Sequence, residues 1–255
     1  MAIIAGGRPY LVDCGPGVVR RASAARGAGI QALEMPNLSR LFVTHLHSDH
    51  TAGLADLILT PWVLEREEPL EVYGPPGIRS MIEHVLAAYA EDIELRLHGS
   101  QPQNPTGIEV TAHEIGAGEV YRDEHVTVTA FAVPHGEWKH SFGYRFDTAD
   151  RSIVISGDTT PSEAVVEACS GCDVLVHETY AKVGLDRRTV DWQAYHTRAH
   201  TSGVELGELA ARARPKLLVL YHQLLWEGAT EEDLLAEIRQ NFDGDVVSAK
   251  DLDVY

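Results

Sequence analysis

Between Thr44 and His50 the chain sets three imidazoles and a carboxylate close together, as His45, His47, Asp49 and His50, directly after the apolar run Leu41-Phe42-Val43. Imidazole and carboxylate suit a borderline divalent cation such as zinc, and a catalytic site mixes them while leaving a coordination position for water. His45 and His47 lie two apart and can share one side of an extended segment, whereas Asp49 and His50 fall in the turn beyond it. One short loop can therefore serve two metals. A helix-like stretch from Thr51 to Leu59 follows at once, which puts the cluster at a strand-to-helix corner, where functional residues concentrate.

Three residues farther along have the same character. Ser152-Ile153-Val154-Ile155-Ser156 is a short apolar run bounded by charge and glycine, so Asp158 lies just past the end of a buried strand. Lys216 to Tyr221 is another such run and ends at His222, while His135 follows Val133-Pro134. A ligand projecting from a strand end is held rigidly, as metal geometry demands. Taken singly, each has a bland alternative: a turn aspartate for Asp158, a loop histidine for His135, a core histidine for His222.

These residues resemble the metallo-β-lactamase superfamily, whose signature is His-x-His-x-Asp-His. The resemblance continues in order through Val133-Pro134-His135-Gly136, Ser156-Gly157-Asp158-Thr159 and Leu220-Tyr221-His222. Within the superfamily the chain is most similar to ribonuclease Z and its phosphodiesterase relatives. The residues that carry this are Val72 to Ile78, His177-Glu178-Thr179-Tyr180 and His200-Thr201-Ser202. The resemblance implies an α/β protein, an αββα sandwich with metals at the sheet edge, formed as a single hydrolase domain over residues 1–255. Such chains usually open with a further strand and a Gly-rich loop before the segment matching Ala2 to Gly7, so the first strand is expected to be missing. A trimmed leader, a displaced start and a natural short form all remain open.

The resemblance also implies a ligand set. His45, His47 and His135 would hold one divalent ion, zinc or manganese; Asp49, His50 and His222 would hold the other; Asp158 would bridge them. Two such ions stand roughly 3.5–4 Å apart and share a hydroxide nucleophile of lowered pKa. A leaving alkoxide still needs a proton, and His200 is the expected general acid, with Glu178 fixing its tautomer. Asp49, His200 and Glu178 are thus the expected catalytic residues, and His177 is expected to support its strand end. Local sequence alone also allows His200 as a helix-start residue and Glu178 as a surface acid.

The expected substrate is a small ester, foremost a phosphodiester. Ribonuclease Z proper carries a long basic arm between the positions matching His135 and Asp158, whereas here only a short hairpin, Trp138 to Phe146, is expected. Transfer RNA is therefore disfavoured as a partner. The alternatives are a lactone or β-lactam ring-opening hydrolase, a sulfate ester hydrolase, a transfer-RNA 3′-end endonuclease, and a metal-dependent binding module. Ala181 to Arg198, with Lys182, Arg187, Arg188, Trp192, Tyr195 and His196, reads either as an active-site lid or as a solvated loop or oligomer contact. Trp226 either lines the same mouth or packs on the last helix.

Composition fits a globular hydrolase. A formal net charge of −17 argues against broad nucleic-acid binding, which needs a local positive surface. No apolar run approaches the ~20 residues of a membrane span, no signal-peptide pattern opens the chain, and a cytoplasmic protein is expected. The resemblance suggests a homodimer. Three cysteines make a disulfide framework improbable, and Cys169-Ser170-Gly171-Cys172 reads as a thiol pair in a loop, with Cys14 an early turn residue. Strands are expected at 2–5, 10–13, 41–44, 70–73, 109–115, 126–133, 153–156, 174–177, 217–221 and 246–247. Helices are expected at 77–89, 162–169, 202–213 and 230–241, the last opened by a capping box from Thr230 to Asp233. Gly99 to Gly107 reads as an exposed connection.

Overall fold

The computed structural model describes residues 1–101 and 103–255; Pro102, inside the expected connection Gly99 to Gly107, lies outside the described residues. The chain divides into two compact units, the first essentially Met1–Ile115 and the second Gly116–Asp253.

The first unit is built on a five-stranded sheet, β1 (Ala2–Ala5), β2 (Arg8–Val12), β3 (Arg40–Phe42), β4 (Leu70–Gly74) and β5 (Val110–Glu114), in that spatial order. Only the β1–β2 pair is antiparallel; the rest is parallel. Parallel strands need crossovers, supplied here by α1 (Val18–Gly27), α2 (Ser48–Thr51) with α3 (Leu54–Val63), and α4 (Ile78–Ala88) with α5 (Ala90–His98). Leu54, Leu57, Ile58 and Trp62 give α3 a buried stripe at helical spacing. Arg66 is also fully buried, and its guanidinium donates to the carbonyls of Leu38, Leu57, Ile58 and Gly107 at 2.8–3.0 Å. It thereby ties down the end of the expected exposed connection, where Gly107 and Ile108 are in fact buried.

The second unit holds β6 (Gly118–Arg122), β7 (Val126–Ala132), β8 (Phe142–Thr148), β9 (Ser152–Ile155), α6 (Glu163–Cys169), β10 (Val174–Tyr180), α7 (Lys182–Leu185), α8 (Val190–Ala199), α9 (Gly203–Ala213), β11 (Leu217–Leu224), α10 (Glu231–Ile238) and β12 (Val246–Ser248). Its seven strands run β12-β11-β10-β9-β8-β7-β6. The β9 to β12 half is parallel and the β6 to β9 half antiparallel. Composition follows topology. In β7 buried and half-exposed residues alternate, as in a one-sided antiparallel strand, whereas every residue of β10, at the centre of the parallel half, is buried. Both expected helix starts carry reciprocal capping boxes, Ser202 with Glu205 on α9 and Thr230 with Asp233 on α10.

Three expectations are corrected. The short hairpin placed at Trp138 to Phe146 is instead the β7–β8 pair, with residues 133–141 as its connection. Ala181 to Arg198 is not a loop but carries α7 and most of α8. Cys169 and Cys172 are joined in a disulfide: α6 ends in the left-handed residues Ser170 and Gly171, and that tight turn brings the two Cα atoms to 4.7 Å. Among the described residues no helix is long and apolar enough to cross a membrane.

Candidate metal centre

In the first unit the histidine cluster leaves β3 at its carboxyl end and is oriented by a residue that sequence inspection passed over. Asp13 follows β2 in a left-handed conformation, φ 57°, and its backbone amide donates to the Phe42 carbonyl of the neighbouring strand. Its carboxylate accepts from the Thr44 amide (2.8 Å), from Thr44 Oγ1 (3.0 and 3.1 Å) and from His50 Nδ1 (2.8 Å). The one Thr44 hydroxyl proton points at Asp13, so Oγ1 accepts from His45 Nδ1 at 3.0 Å. One carboxylate therefore fixes two imidazoles, and each presents Nε2 as a lone-pair donor. This is the arrangement by which outer groups set the tautomer of metal-binding histidines. His45 Nε2 lies 2.9 Å from His47 Nδ1, and His50 Nε2 lies 3.5 Å from the exposed Asp49 carboxylate.

The second unit gathers its candidates where α/β sheets place ligands, toward the carboxyl ends of parallel strands β9, β10 and β11. Asp158 sits past β9 after Gly157, whose φ of 63° turns the chain. His222 is the extra residue of a β-bulge in β11: Glu178 pairs with Tyr221, Thr179 pairs with Gln223, and His222 takes φ 44° between them. Bulges re-aim side chains beside active sites, and the unusual φ is local strain held by the sheet. Sequence inspection ended the strand at Tyr221; the strand in fact continues to Leu224, and the bulge turns the imidazole out of it.

Three imidazoles converge on one carboxylate oxygen. Asp158 Oδ2 lies 3.5 Å from His222 Nε2, 4.0 Å from His135 Nε2 and 4.0 Å from His200 Nδ1. Donor atoms of Asp158, His200 and His222 all fall within 4.8 Å of one another. His135 Nδ1 donates to the Ala199 carbonyl at 2.7 Å, which again leaves Nε2 for a ligand. These separations exceed a normal hydrogen bond, yet they suit two donors each about 2.0–2.2 Å from a shared cation. The donor set therefore fits a divalent metal, as the His45–His47–His50 set of the first unit does by its chemistry.

Glu178 is fully buried rather than a surface acid. Its Oε1 accepts from the amides of Thr159 (3.2 Å) and Thr201 (3.0 Å), and its Oε2 lies 3.4 Å from His200 Nδ1. Burial, and next the nearby Asp158 carboxylate, push its carboxyl well above the usual range. His200 ends α8, stacked on His222 with ring centres 5.7 Å apart and edge-on to His135 at 5.1 Å. His177 is fully buried: its Nδ1 donates to the Glu178 carbonyl at 2.6 Å, and burial pushes it down to about 4, so it stays neutral.

Known proteins give this arrangement its family. The model of the beta-lactamase superfamily domain matches residues 8–223. A Ribonuclease Z of Mycobacterium sp. (strain KMS) is 37% identical over 223 residues, covering 86% of this chain and 75% of that protein. Among solved structures, the metallo-beta-lactamase fold protein YhfI of Bacillus subtilis superposes with a TM-score of 0.72 at 18% identity, covering 98% of this chain and 88% of its own. The short form of human tRNase Z gives 0.72 at 22%, covering 98% and 89%. The expected α/β fold is thus the metallo-β-lactamase fold. The chain belongs to the metallo-β-lactamase superfamily, in its ribonuclease Z-like branch, and is a metal-dependent hydrolase.

Proposed function

We propose that this hydrolase cleaves phosphodiesters and binds two divalent ions, zinc foremost and manganese as the substitute. His45, His47 and His135 would hold one, Asp49, His50 and His222 the other, with Asp158 shared. Bound there, such ions supply Lewis acidity toward a phosphoryl oxygen and an acidified water. His200 then has the task of protonating the leaving oxygen, and Glu178 is its positioning residue. The observation that carries the phosphodiester reading is this buried pair, His200 Nδ1 at 3.4 Å from Glu178 Oε2 and 4.0 Å from Asp158 Oδ2. An expelled alkoxide needs such a proton donor, whereas ring-opened lactones and β-lactams need it less.

The relatives' name favours an RNA diester and tempers the expectation that transfer RNA is disfavoured. The short connection of residues 133–141, which carries His135, favours a smaller one. The test is kcat/KM of zinc- and manganese-loaded protein on an aryl phosphodiester, an RNA with a 3′ extension, a lactone, a β-lactam and an aryl sulfate. A phosphodiester, small or RNA, is expected to lead. A carbonyl or sulfate substrate in the lead would overturn the reading.

A further inference from the structure

Beside the candidate ligands, the second unit carries a ring cluster whose farther members the ligand chemistry does not use. It begins at His200 and runs along α8. His196 lies one turn back, its ring 5.5 Å from His200, and Trp192 one turn farther, stacked on His196 at 5.5 Å and 21° between planes. Trp226, after β11, packs on His196 at 4.2 Å. The Arg188 guanidinium caps both indoles, 5.1 Å from the Trp192 ring centre and 5.5 Å from that of Trp226. Tyr195 stands edge-on to Trp192 at 5.9 Å.

Two features distinguish this from core packing. First, its outer members stay in solvent: Trp192 is 48% and Tyr195 40% exposed, although α8 buries only His196 and Ala199. An indole left half in water is normally mobile; here it packs against His196 and Arg188, contacts that reduce the freedom to be lost when a ligand stacks on it. Second, His196 is buried, 8% exposed, and its Nδ1 has no hydrogen-bond partner among the described residues. A buried polar atom left unmet is a feature that functional sites retain.

We propose that Trp192, fixed by Arg188 and His196 and flanked by Tyr195, is a stacking platform for the planar ring of the substrate, a nucleobase or an aryl group next to the scissile phosphate. This rests on the phosphodiesterase reading and gives it a substrate class. The ring sequence His222, His200, His196, Trp192 advances in steps of 5.5–5.7 Å from the two imidazoles that face Asp158. A substrate with its phosphate near Asp158 would reach Trp192 along this row. Stacking tolerates any base, and the guanidinium adds a cation–π contribution.

The test is equilibrium binding, which needs no turnover and so fails or succeeds separately from the activity reading. Zinc-loaded protein is titrated by calorimetry with adenosine 5′-monophosphate, phenyl phosphate and ribose 5-phosphate. Adenosine monophosphate is expected to bind about tenfold tighter than ribose 5-phosphate, a gain in the range of one stacked base. Trp192→Ala should erase that advantage and leave ribose 5-phosphate affinity alone, while Trp192→Phe keeps most of it. Phenyl phosphate matching the nucleotide assigns the platform to aryl groups at large; phenyl phosphate binding like the sugar assigns it to nucleobases. Adenosine monophosphate binding no tighter than ribose 5-phosphate, absence of binding included, or an advantage that survives Trp192→Ala, would overturn the proposal.

Discussion

Asp158→Ala is expected to lower kcat/KM by about a thousandfold or more, beyond the ten- to hundredfold typical of outer-shell replacements at metal sites. The side chain is 2% exposed and receives three imidazole nitrogens within 4.0 Å of one oxygen. Its removal takes away the anion that makes this set a cation site and leaves imidazoles that no longer share a partner. Asp158→Asn separates charge from shape: it keeps the volume and is expected to lose nearly as much. Steady-state kinetics with metal in excess, beside the near-ultraviolet circular dichroism of each variant, checks this. Asp158→Asn with activity close to that of the parent would show that the carboxylate charge is dispensable.

His200→Ala should cost about a hundredfold on a diester with an alcohol leaving group, within the range for general acid catalysis. The loss should shrink toward nothing on a nitrophenyl diester, whose leaving oxygen departs without a proton. A purely structural role would lower both rates together. The measurement is therefore the dependence of log kcat/KM on leaving-group pKa in parent and variant, which must steepen when the imidazole is gone. Equal losses across the series would assign His200 to the ligand set with His222 and Asp158, which its position within 4.8 Å of both would allow. Glu178→Gln, which keeps the acceptor for the Thr159 and Thr201 amides, should steepen the dependence only part of the way toward that of His200→Ala.

What could be read from the sequence was whatever is local. His45, His47, Asp49 and His50 declare their chemistry by type and spacing, and Asp158 and His222 by following apolar runs. Asp13 gave no such signal, because its importance comes from the parallel register of β2 and β3, which carries it to Thr44 and His50 across 31 and 37 positions of chain. The bulge at His222 is equally invisible, since nothing in Leu220-Tyr221-His222-Gln223 marks a positive φ. Three of the missed helices, α1, α5 and α8, share one cause. In α1 only Val19, Ala22 and Ala25 are buried, in α5 no residue is, and in α8 the apolar residues Val190, Trp192 and Tyr195 face outward, so periodicity could not reveal them. The same inversion on α8 that hid the helix exposes the stacking platform. The disulfide escaped because Cys-x-x-Cys is silent on geometry until the left-handed turn after α6 is known.

The most direct test of the central claim is the metal content of the parent protein. The chain is stripped with chelator, reloaded with zinc, passed over a desalting column and measured by plasma mass spectrometry against protein concentration. Two equivalents per chain, with hydrolysis returning as the second binds, is the predicted result. A chain that retains no zinc, or reaches full activity with none, would contradict a metal-dependent hydrolase built on these histidines and Asp158.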